Sequence, residues 1–458
     1  MFPLSEMNWG FMETIFLIIV FAVGFLVTLL IIPYIIKFMK KKGYVGIDIH
    51  KNAQTEVAES GGLSMVIGIT AASLLLMIFF PYFINEIIIF MITVVSAGVI
   101  GFMDDRLKLR SRYKMVLVIF AGIVIFLANF YDFIHISSPT IPILGKLRLT
   151  IIYPLAIPII IAVFANTVNM LEGYNGEGSG TCLIAVIFMF ICGLIWNSTE
   201  AILFTIVTIA VIIPFFLYNK YPAKVFPGDV GTLSMGAMIA CIALFGSIEV
   251  AVFLAILIHI FNSFYILSSV KGFFESSEIQ EEKNDIILLA DDRIKASDQR
   301  DAALTLPRLI LAKGPLTEPE LVKQFYIISI ICGLFSIISV VIMHWTMGRL
   351  DIIIVIVVIC ALIVPTLVLL YYFPRIRGII ILMIILLGAG IIFMIFLDIV
   401  IMEIVTGQIN LILIKIPLNL IVAFLIAGPG FLVWYYVTIK YFWKEIEKMK
   451  SLDPNDSK

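Results

Sequence analysis

Runs of about 20 apolar residues, the length that crosses a lipid hydrocarbon layer as a helix, follow one another along most of this chain. Polar residues gather in the gaps. Counted at that spacing, the pattern predicts about thirteen membrane helices. They lie near residues 12–38, 63–80, 84–103, 115–134, 150–165, 181–196, 200–218, 231–246, 249–270, 325–344, 351–372, 378–398 and 417–440. The expected fold class is all-α, a polytopic membrane helix bundle. The longest gap, 271–324, carries an acidic stretch (Glu275, Glu278, Glu281, Glu282), then Asp291-Asp292-Arg293 and Leu306-Pro307-Arg308. It is expected to cap one face with short helices or a hairpin. No internal repeat of the inverted-transporter kind is evident.

The gaps differ in charge. Lys40–Lys42 with Lys51, Arg106–Lys114, Lys220–Lys224, Lys271–Lys323, Arg375–Arg377 and Lys440–Lys450 all follow odd-numbered runs. Gaps such as Asn197–Glu200, Gly246–Glu249 and Thr346–Asp351 are short and poor in lysine, with Lys146 and Arg148 the exception. Cytoplasmic loops are enriched in Lys and Arg, so the expected N-terminus is outside and the C-terminus cytoplasmic. Met1–Thr14 lacks basic residues and three lysines follow the first run, the reverse of a signal peptide, which predicts a retained first span.

Composition agrees with the pattern. Of 458 residues, 62% are hydrophobic and 14% charged, against about 25% charged in soluble domains. The formal net charge of −1 gives no sign of a nucleic-acid partner. Cys182, Cys192, Cys241, Cys332 and Cys360 all sit inside apolar runs without a CxxC pair, and are expected to pack as buried free thiols.

Candidate chemistry lies where the runs end. One cluster is Gly101-Phe102-Met103-Asp104-Asp105-Arg106, continuing to Lys114; a second runs from Asn166-Thr167-Val168-Asn169 to Gly173-Tyr174-Asn175-Gly176; a third is Phe226-Pro227-Gly228-Asp229. By the charge pattern all three face the cytoplasm. Asp104, Asp105 and Asp229, with Asn166 and Asn169, offer hard oxygen ligands of the kind magnesium takes. Lys114, Arg112 and Arg106 offer charge to screen a pyrophosphate. Neighbours on a helix point about 100° apart, so Asp104 and Asp105 cannot both face one ion unless the helix ends there. Each cluster also has a plainer reading. The acidic pair reads equally as a solvated helix end, the asparagines as hydrogen-bonding glue between helices, and the third string as a turn whose aspartate caps a helix beginning at Gly231. His259, in mid-span, is expected to be a packed neutral imidazole. The three clusters together favour a magnesium-dependent site for a phosphate substrate.

These strings, in this order, resemble the polyprenyl-phosphate N-acetylhexosamine-1-phosphate transferases, and the dolichyl-phosphate GlcNAc-1-phosphotransferase branch more closely than the bacterial MraY-like one. The resemblance runs from Asp48 to about Arg308. It includes Asp48-Ile49-His50-Lys51, Glu59-Ser60-Gly61-Gly62, the three clusters above and Phe261-Asn262-Ser263-Phe264-Tyr265. It implies that a dolichyl or other polyprenyl phosphate attacks the β-phosphorus of UDP-GlcNAc and releases UMP, the first membrane step of lipid-linked oligosaccharide synthesis for N-glycosylation. Carried over by position, Asn169 and Asp229 resemble the ligands of Mg2+, with Mn2+ as a substitute. Asp104 and Asp105 resemble the essential carboxylates, and Lys114 a phosphate contact. Asn175 and Phe226 resemble the uracil-recognising pair, with Gly173 beside them, and Lys51 and Glu59 lie near the nucleotide sugar.

The chain also departs from the family. In the loop before the tenth run, which contacts sugar and pyrophosphate in the family, the histidine- or arginine-bearing motif is reduced to Pro307-Arg308, with Arg300 and Arg293 nearby; the resemblance makes Arg308 the substrate contact there and leaves another UDP-N-acetyl sugar open as donor. Residues 1–345 correspond to a transferase membrane core that includes the 271–324 loop. Residues 346–458 are additional helices with a short tail, for which stability in lipid or homodimer packing is the expectation. The isoleucine-rich composition together with the dolichol-like motifs suggests an archaeal cell membrane, with the endoplasmic reticulum as the alternative. An ion- or lipid-coupled transporter is the reading from another class; it calls for acids at mid-span, whereas these lie at span ends.

Overall fold

The computed structural model describes residues 10–146, 152–270, 284–388 and 418–452. The acidic stretch 275–282, Arg148, the second half of the predicted run 378–398 and the tail beyond Leu452 lie outside the described residues. Helices occupy every predicted run: α1 (Phe11–Lys41), α2 (Leu63–Phe79), α3 (Ile84–Leu107), α4 (Ser111–Phe130), α5 (Ile152–Leu171), α6 (Glu177–Trp196), α7 (Thr199–Asn219), α8 (Gly228–Gly246), α9 (Glu249–Ala255) and α10 (Leu257–Val270). After the long loop, which holds the short α11 (Leu306–Leu311), come α12 (Glu318–Thr346), α13 (Ile352–Tyr372), α14 (Arg377–Gly388) and α15 (Leu418–Leu452). Among the described residues nine helices are long and apolar enough to cross a membrane; α9 and α10, bent 69° at Ile256, add one if they form a single span. The protein is a polytopic membrane helix bundle.

Among the described residues seven short strands accompany the bundle in three small sheets, which the all-α expectation did not include. β1 (Val45–Ile47) and β2 (Glu56–Ala58) form an antiparallel hairpin. β3 (Thr140–Ile141) pairs with β4 (Gly145–Lys146). In the 271–324 loop, β5 (Ile286–Leu288), β6 (Arg293–Ala296) and β7 (Leu316–Thr317) pair in that order. The hairpin expected there is present.

α8 is the axis of the bundle. Its turns are rich in small residues, including Gly231, Ser234, Gly236, Ala237, Ala240 and Ala243, and such residues let helix backbones approach closely where lipid supplies no hydrophobic drive. α3, α5 and α7 pack around it, and every residue from Val230 to Gly246 is buried. At the α3 crossing a Cβ on Gly101 would meet the Asp229 carbonyl oxygen at 2.3 Å, so glycine alone fits there. This contact brings the first polar cluster against the third.

Four of the five cysteines are buried as expected; Cys360 is exposed. Its helix, α13, packs on α12 at the periphery and presents most of its apolar side chains outward. His259 is fully buried, with Cys182 Sγ 4.0 Å from its Nε2, as a packed histidine should be.

Candidate active site

α3 stops just past the acidic pair. Lys108 takes a left-handed conformation (φ 48°) and its N–H closes on the Asp104 carbonyl at 2.8 Å, which ends the helix. The two carboxylates diverge from there. Asp104 Oδ2 meets Lys114 Nζ at 2.6 Å, while its Oδ1 accepts the Leu109 N–H at 2.8 Å. Asp105 turns the other way: its Oδ1 accepts the backbone N–H of Asp229 at 2.8 Å and its Oδ2 the Ser60 hydroxyl at 2.6 Å. A carboxylate at the first turn of α8 satisfies an orphan N–H and complements the helix dipole. The helix begins at Gly228 rather than Gly231, and its cap comes from α3 rather than from Asp229.

Lys114 ties the clusters together. It is 2% exposed, and its ammonium lies 2.6 Å from Asp104 and 2.5 Å from Asp229. With its amide turned to satisfy both ends, Asn169 donates to Asp229 Oδ1 at 2.9 Å and to Thr232 Oγ1 at 2.7 Å, and accepts from Lys114 at 3.2 Å. A buried ammonium between two carboxylates marks a place where the fold needs positive charge. The donors around it, carboxylate and amide oxygens, are the hard set magnesium takes. The residues fit that ion.

The loop after α2's entry strand docks on the same point. Gly61 N–H donates to the Phe226 carbonyl at 2.9 Å, Gly62 N–H to the Pro227 carbonyl at 3.0 Å, and Phe226 N–H to the Ala58 carbonyl at 2.8 Å. Gly228 adopts φ 63°, and a Cβ there would meet Asp105 Oδ2 at 2.5 Å. Two motifs distant in sequence thus zip together by their backbones.

A cavity of about 640 Å³ opens over these residues. Its wall holds Glu59, Asp104, Asp105, Asn169, Gly173, Asn175, Phe226 and Asp229 from the predicted set. Four predicted residues lie elsewhere. Lys114 sits behind the carboxylates; Asn166 spends its amide on the Ala162 carbonyl of its own helix at 2.8 Å. Lys51 is ion-paired to Asp48 and lies over the Tyr221 ring at 4.4 Å. Arg308, expected to contact substrate, is 2% exposed and directs five hydrogen bonds to the carbonyls of Ser297, Gln299, Ala302 and Ala303. It is a staple of the loop. Arg106 stacks on Tyr44, 3.6 Å from the ring centre, and the Arg112 side chain lies outside the described residues.

Sequence reasoning passed over several buried partners. Glu318 accepts both the Asn175 N–H (2.7 Å) and its side-chain amide (3.0 Å), and Asp48 accepts that amide at 2.9 Å. Glu177 holds the preceding turn by the Gly173 and Tyr174 N–H groups, at 3.0 and 3.1 Å. Burial alone would raise the Asp48 pKa, but hydrogen bonds from Lys51 and Asn175 bring it below the ordinary value. Burial pushes the His50 imidazole down to about 4, so the ring that stacks on Tyr174 at 4.3 Å is neutral. Ligating atoms of Asp48, His50 and Glu318 also fall within 4.8 Å of one another, with the Lys51 ammonium paired to Asp48.

Comparison with known proteins gives the chain its family. Glycosyl transferase family 4 matches residues 87–247. A Methanocaldococcus jannaschii protein named as a glycosyltransferase is 32% identical over 305 residues, covering 66% of this chain and 91% of its own. A Sulfolobus acidocaldarius protein named as a UDP-N-acetylglucosamine–dolichyl-phosphate N-acetylglucosaminephosphotransferase is 33% identical over 238 residues, 50% of this chain and 71% of its own. A Streptococcus pneumoniae phospho-N-acetylmuramoyl-pentapeptide-transferase is 27% identical over 265 residues, 55% of this chain and 80% of its own. The chain belongs to glycosyl transferase family 4 and is a membrane phosphotransferase of the polyprenyl-phosphate hexosamine-1-phosphate type.

Proposed function

We propose that the protein transfers GlcNAc-1-phosphate from UDP-GlcNAc to dolichyl or another polyprenyl phosphate, with Mg2+, at the cytoplasmic face of the cell membrane. A lipid-phosphate oxygen bonds to the β-phosphorus of the donor, the bridge to the α-phosphate breaks, and UMP leaves. The product would open lipid-linked oligosaccharide synthesis for N-glycosylation. The observation that carries this reading is the single cavity joining Asp104, Asn169 and Asp229, backed by Lys114, to Asn175 and Phe226. The printed name of the Sulfolobus acidocaldarius relative supports the choice of donor and acceptor. Basic loops after odd-numbered runs support thirteen spans with the N-terminus outside, and with them a cytoplasmic cavity.

The residues divide the work. The acceptor phosphate has a second pKa of about 6 and is largely dianionic at neutral pH, so a strong general base is unnecessary. The main barrier is bringing two anions together. Lys114 supplies a buried positive charge and orients Asp104 and Asp229; Asp105 fixes the first turn of α8 and so the Asp229 backbone. Asp229, Asn169 and Asp104 would hold the magnesium ion, which supplies charge neutralisation at the phosphates. Asn175, locked by Glu318 and Asp48, and Phe226 form the wall for the uracil, with Gly173 beside them. Glu59 would meet the nucleotide sugar from the cavity wall, while Lys51 acts from outside that wall by holding Asp48, which accepts the Asn175 amide. Purified protein in detergent, given prenyl phosphate and a panel of UDP-sugars, should release UMP with UDP-GlcNAc and with no other donor as efficiently. Turnover with a different UDP-N-acetyl sugar alone would move the donor assignment.

A further inference from the structure

About a third of this chain lies outside its match to the Methanocaldococcus jannaschii relative, which covers 66% of it. The last helix, α15, was expected to serve stability in lipid or pairing between copies. Its described side chains divide into two faces. Leu432, Val433, Tyr436 and Val437 point outward, 40–71% exposed. Trp434, Thr438, Phe442 and Ile446 are buried at a spacing of four, the repeat of one helix face.

That face grips the polar loop. Trp434 donates its indole N–H to the Leu382 carbonyl of α14 at 3.1 Å and stacks on Tyr265 of α10, centroids 5.0 Å apart. Tyr265 and Thr438 share a hydrogen bond at 3.2 Å. One turn further, the Phe442 ring lies 4.7 Å beneath the Arg308 guanidinium, whose hydrogen bonds gather residues 297–303 around α11. At the end of the same face Lys450 pairs with Asp298 at 2.8 Å.

The gripped loop is tied to the cavity at three points. Asn52, beside Lys51, hydrogen-bonds Asp292 and the Leu289 carbonyl at the β5–β6 turn. Asn262 accepts the Leu306 N–H at 2.9 Å and donates to the Met170 carbonyl, next to Asn169, at 3.0 Å. Strand β7 runs directly into Glu318, which holds Asn175.

We propose that α15 clamps the 284–317 loop against the cavity, and that Phe442 and Trp434 are positioning residues for the nucleotide-sugar donor. The donor half of this proposal rests on the transferase reading above; the clamp half does not. The clamp restrains a wall formed before substrate arrives, so releasing it weakens donor binding more than the chemical step.

The test uses full-length protein in detergent, comparing wild type with Phe442→Ala, Phe442→Leu and Trp434→Ala. Limited trypsin digestion reads cleavage at Arg293, Lys295 and Arg300. Phe442→Ala is expected to speed it by about tenfold, the factor that corresponds to 1.4 kcal/mol. The KM for UDP-GlcNAc should rise by a similar factor with kcat within about twofold and the KM for the lipid phosphate unchanged, the mark of lost uniform binding. Phe442→Leu should recover much of both. If the core variants fail to fold, the exposed pair serves instead: Lys450→Glu should speed loop cleavage and Asp298→Lys in the same chain should restore it. Cleavage unchanged in all variants overturns the clamp. Faster cleavage with an unchanged donor KM overturns the positioning role. Absence of transfer from any UDP-sugar by the wild type sinks the transferase reading, while the cleavage rates still decide the clamp.

Discussion

Asp105 accepts the backbone N–H of Asp229 at 2.8 Å, so the end of one helix caps the beginning of another. Through that bond the second acid of the pair sets where the third acid stands. Asp105→Ala should therefore leave the α8 first turn uncapped, lowering stability by about 1–2 kcal/mol. Transfer should fall by about 100-fold or more, as when a preorganised electrostatic contact is lost. Asp105→Asn retains an acceptor and should keep most of the stability while losing much of the rate. Thermal unfolding in detergent alongside a UMP-release assay separates the two effects.

Lys114 stands between Asp104 and Asp229 with 2% of its side chain exposed. Lys114→Met leaves two carboxylates facing each other without a cation, and removing one member of a buried ionic group costs about 3–5 kcal/mol. A divalent ion should offset part of that loss. The expected result is a lowered melting temperature that millimolar Mg2+ raises more in Lys114→Met than in wild type. An equal response in both proteins counts against a metal place between these acids.

The α3–α8 crossing leaves no room for a methyl group. Gly101→Ala, whose Cβ would lie 2.3 Å from the Asp229 carbonyl oxygen, should abolish transfer and sharply reduce folded yield. Gly388→Ala, with nothing within 4 Å among the described residues, is the matched control and should be neutral. Size-exclusion profiles of the two variants check this.

Much of this site was legible in the sequence, and the reasons for the gaps are specific. Asp104, Asn169 and Asp229 stand out because polar residues at the ends of apolar runs need a task, and the charge pattern put them on one side. The 100° argument foresaw that Asp104 and Asp105 would have different duties; it did not reveal that Asp105 caps α8, since that bond joins segments 124 residues apart. Glu318 was missed because Thr317-Glu318-Pro319-Glu320 reads as an ordinary helix start, and the capping box there is real. Arg308 was assigned to substrate because the loop motif it belongs to resembles one that contacts sugar and pyrophosphate; its burial follows from hydrogen bonds within its own loop and from packing against Phe442, a contact between segments far apart in sequence just past the predicted 417–440 run.

Acid should loosen the nucleoside wall. Burial, opposed in part by Asp48, brings His50 from its ordinary 6.5 down to about 4. Between those values the unfolded chain binds a proton that the folded protein refuses, so stability rises with pH across the window and is lost as pH falls through it. His50→Phe keeps a ring against Tyr174 without the titration. Melting temperatures measured from pH 4 to 6.5 should climb less steeply for His50→Phe than for wild type. Parallel curves would remove His50 as the source.

The central claim is that Asp229 and its neighbours transfer a sugar phosphate between two phosphate oxygens. One phosphoanhydride is exchanged for another, so the step should run backwards, and labelled UMP should enter UDP-GlcNAc when the lipid-pyrophosphate-sugar is supplied with Mg2+. The account predicts that exchange in wild type, its loss in excess EDTA, and its fall by about 100-fold or more in folded Asp229→Asn protein. Full exchange in Asp229→Asn, or in EDTA, or release of sugar phosphate to water in place of exchange, would contradict it.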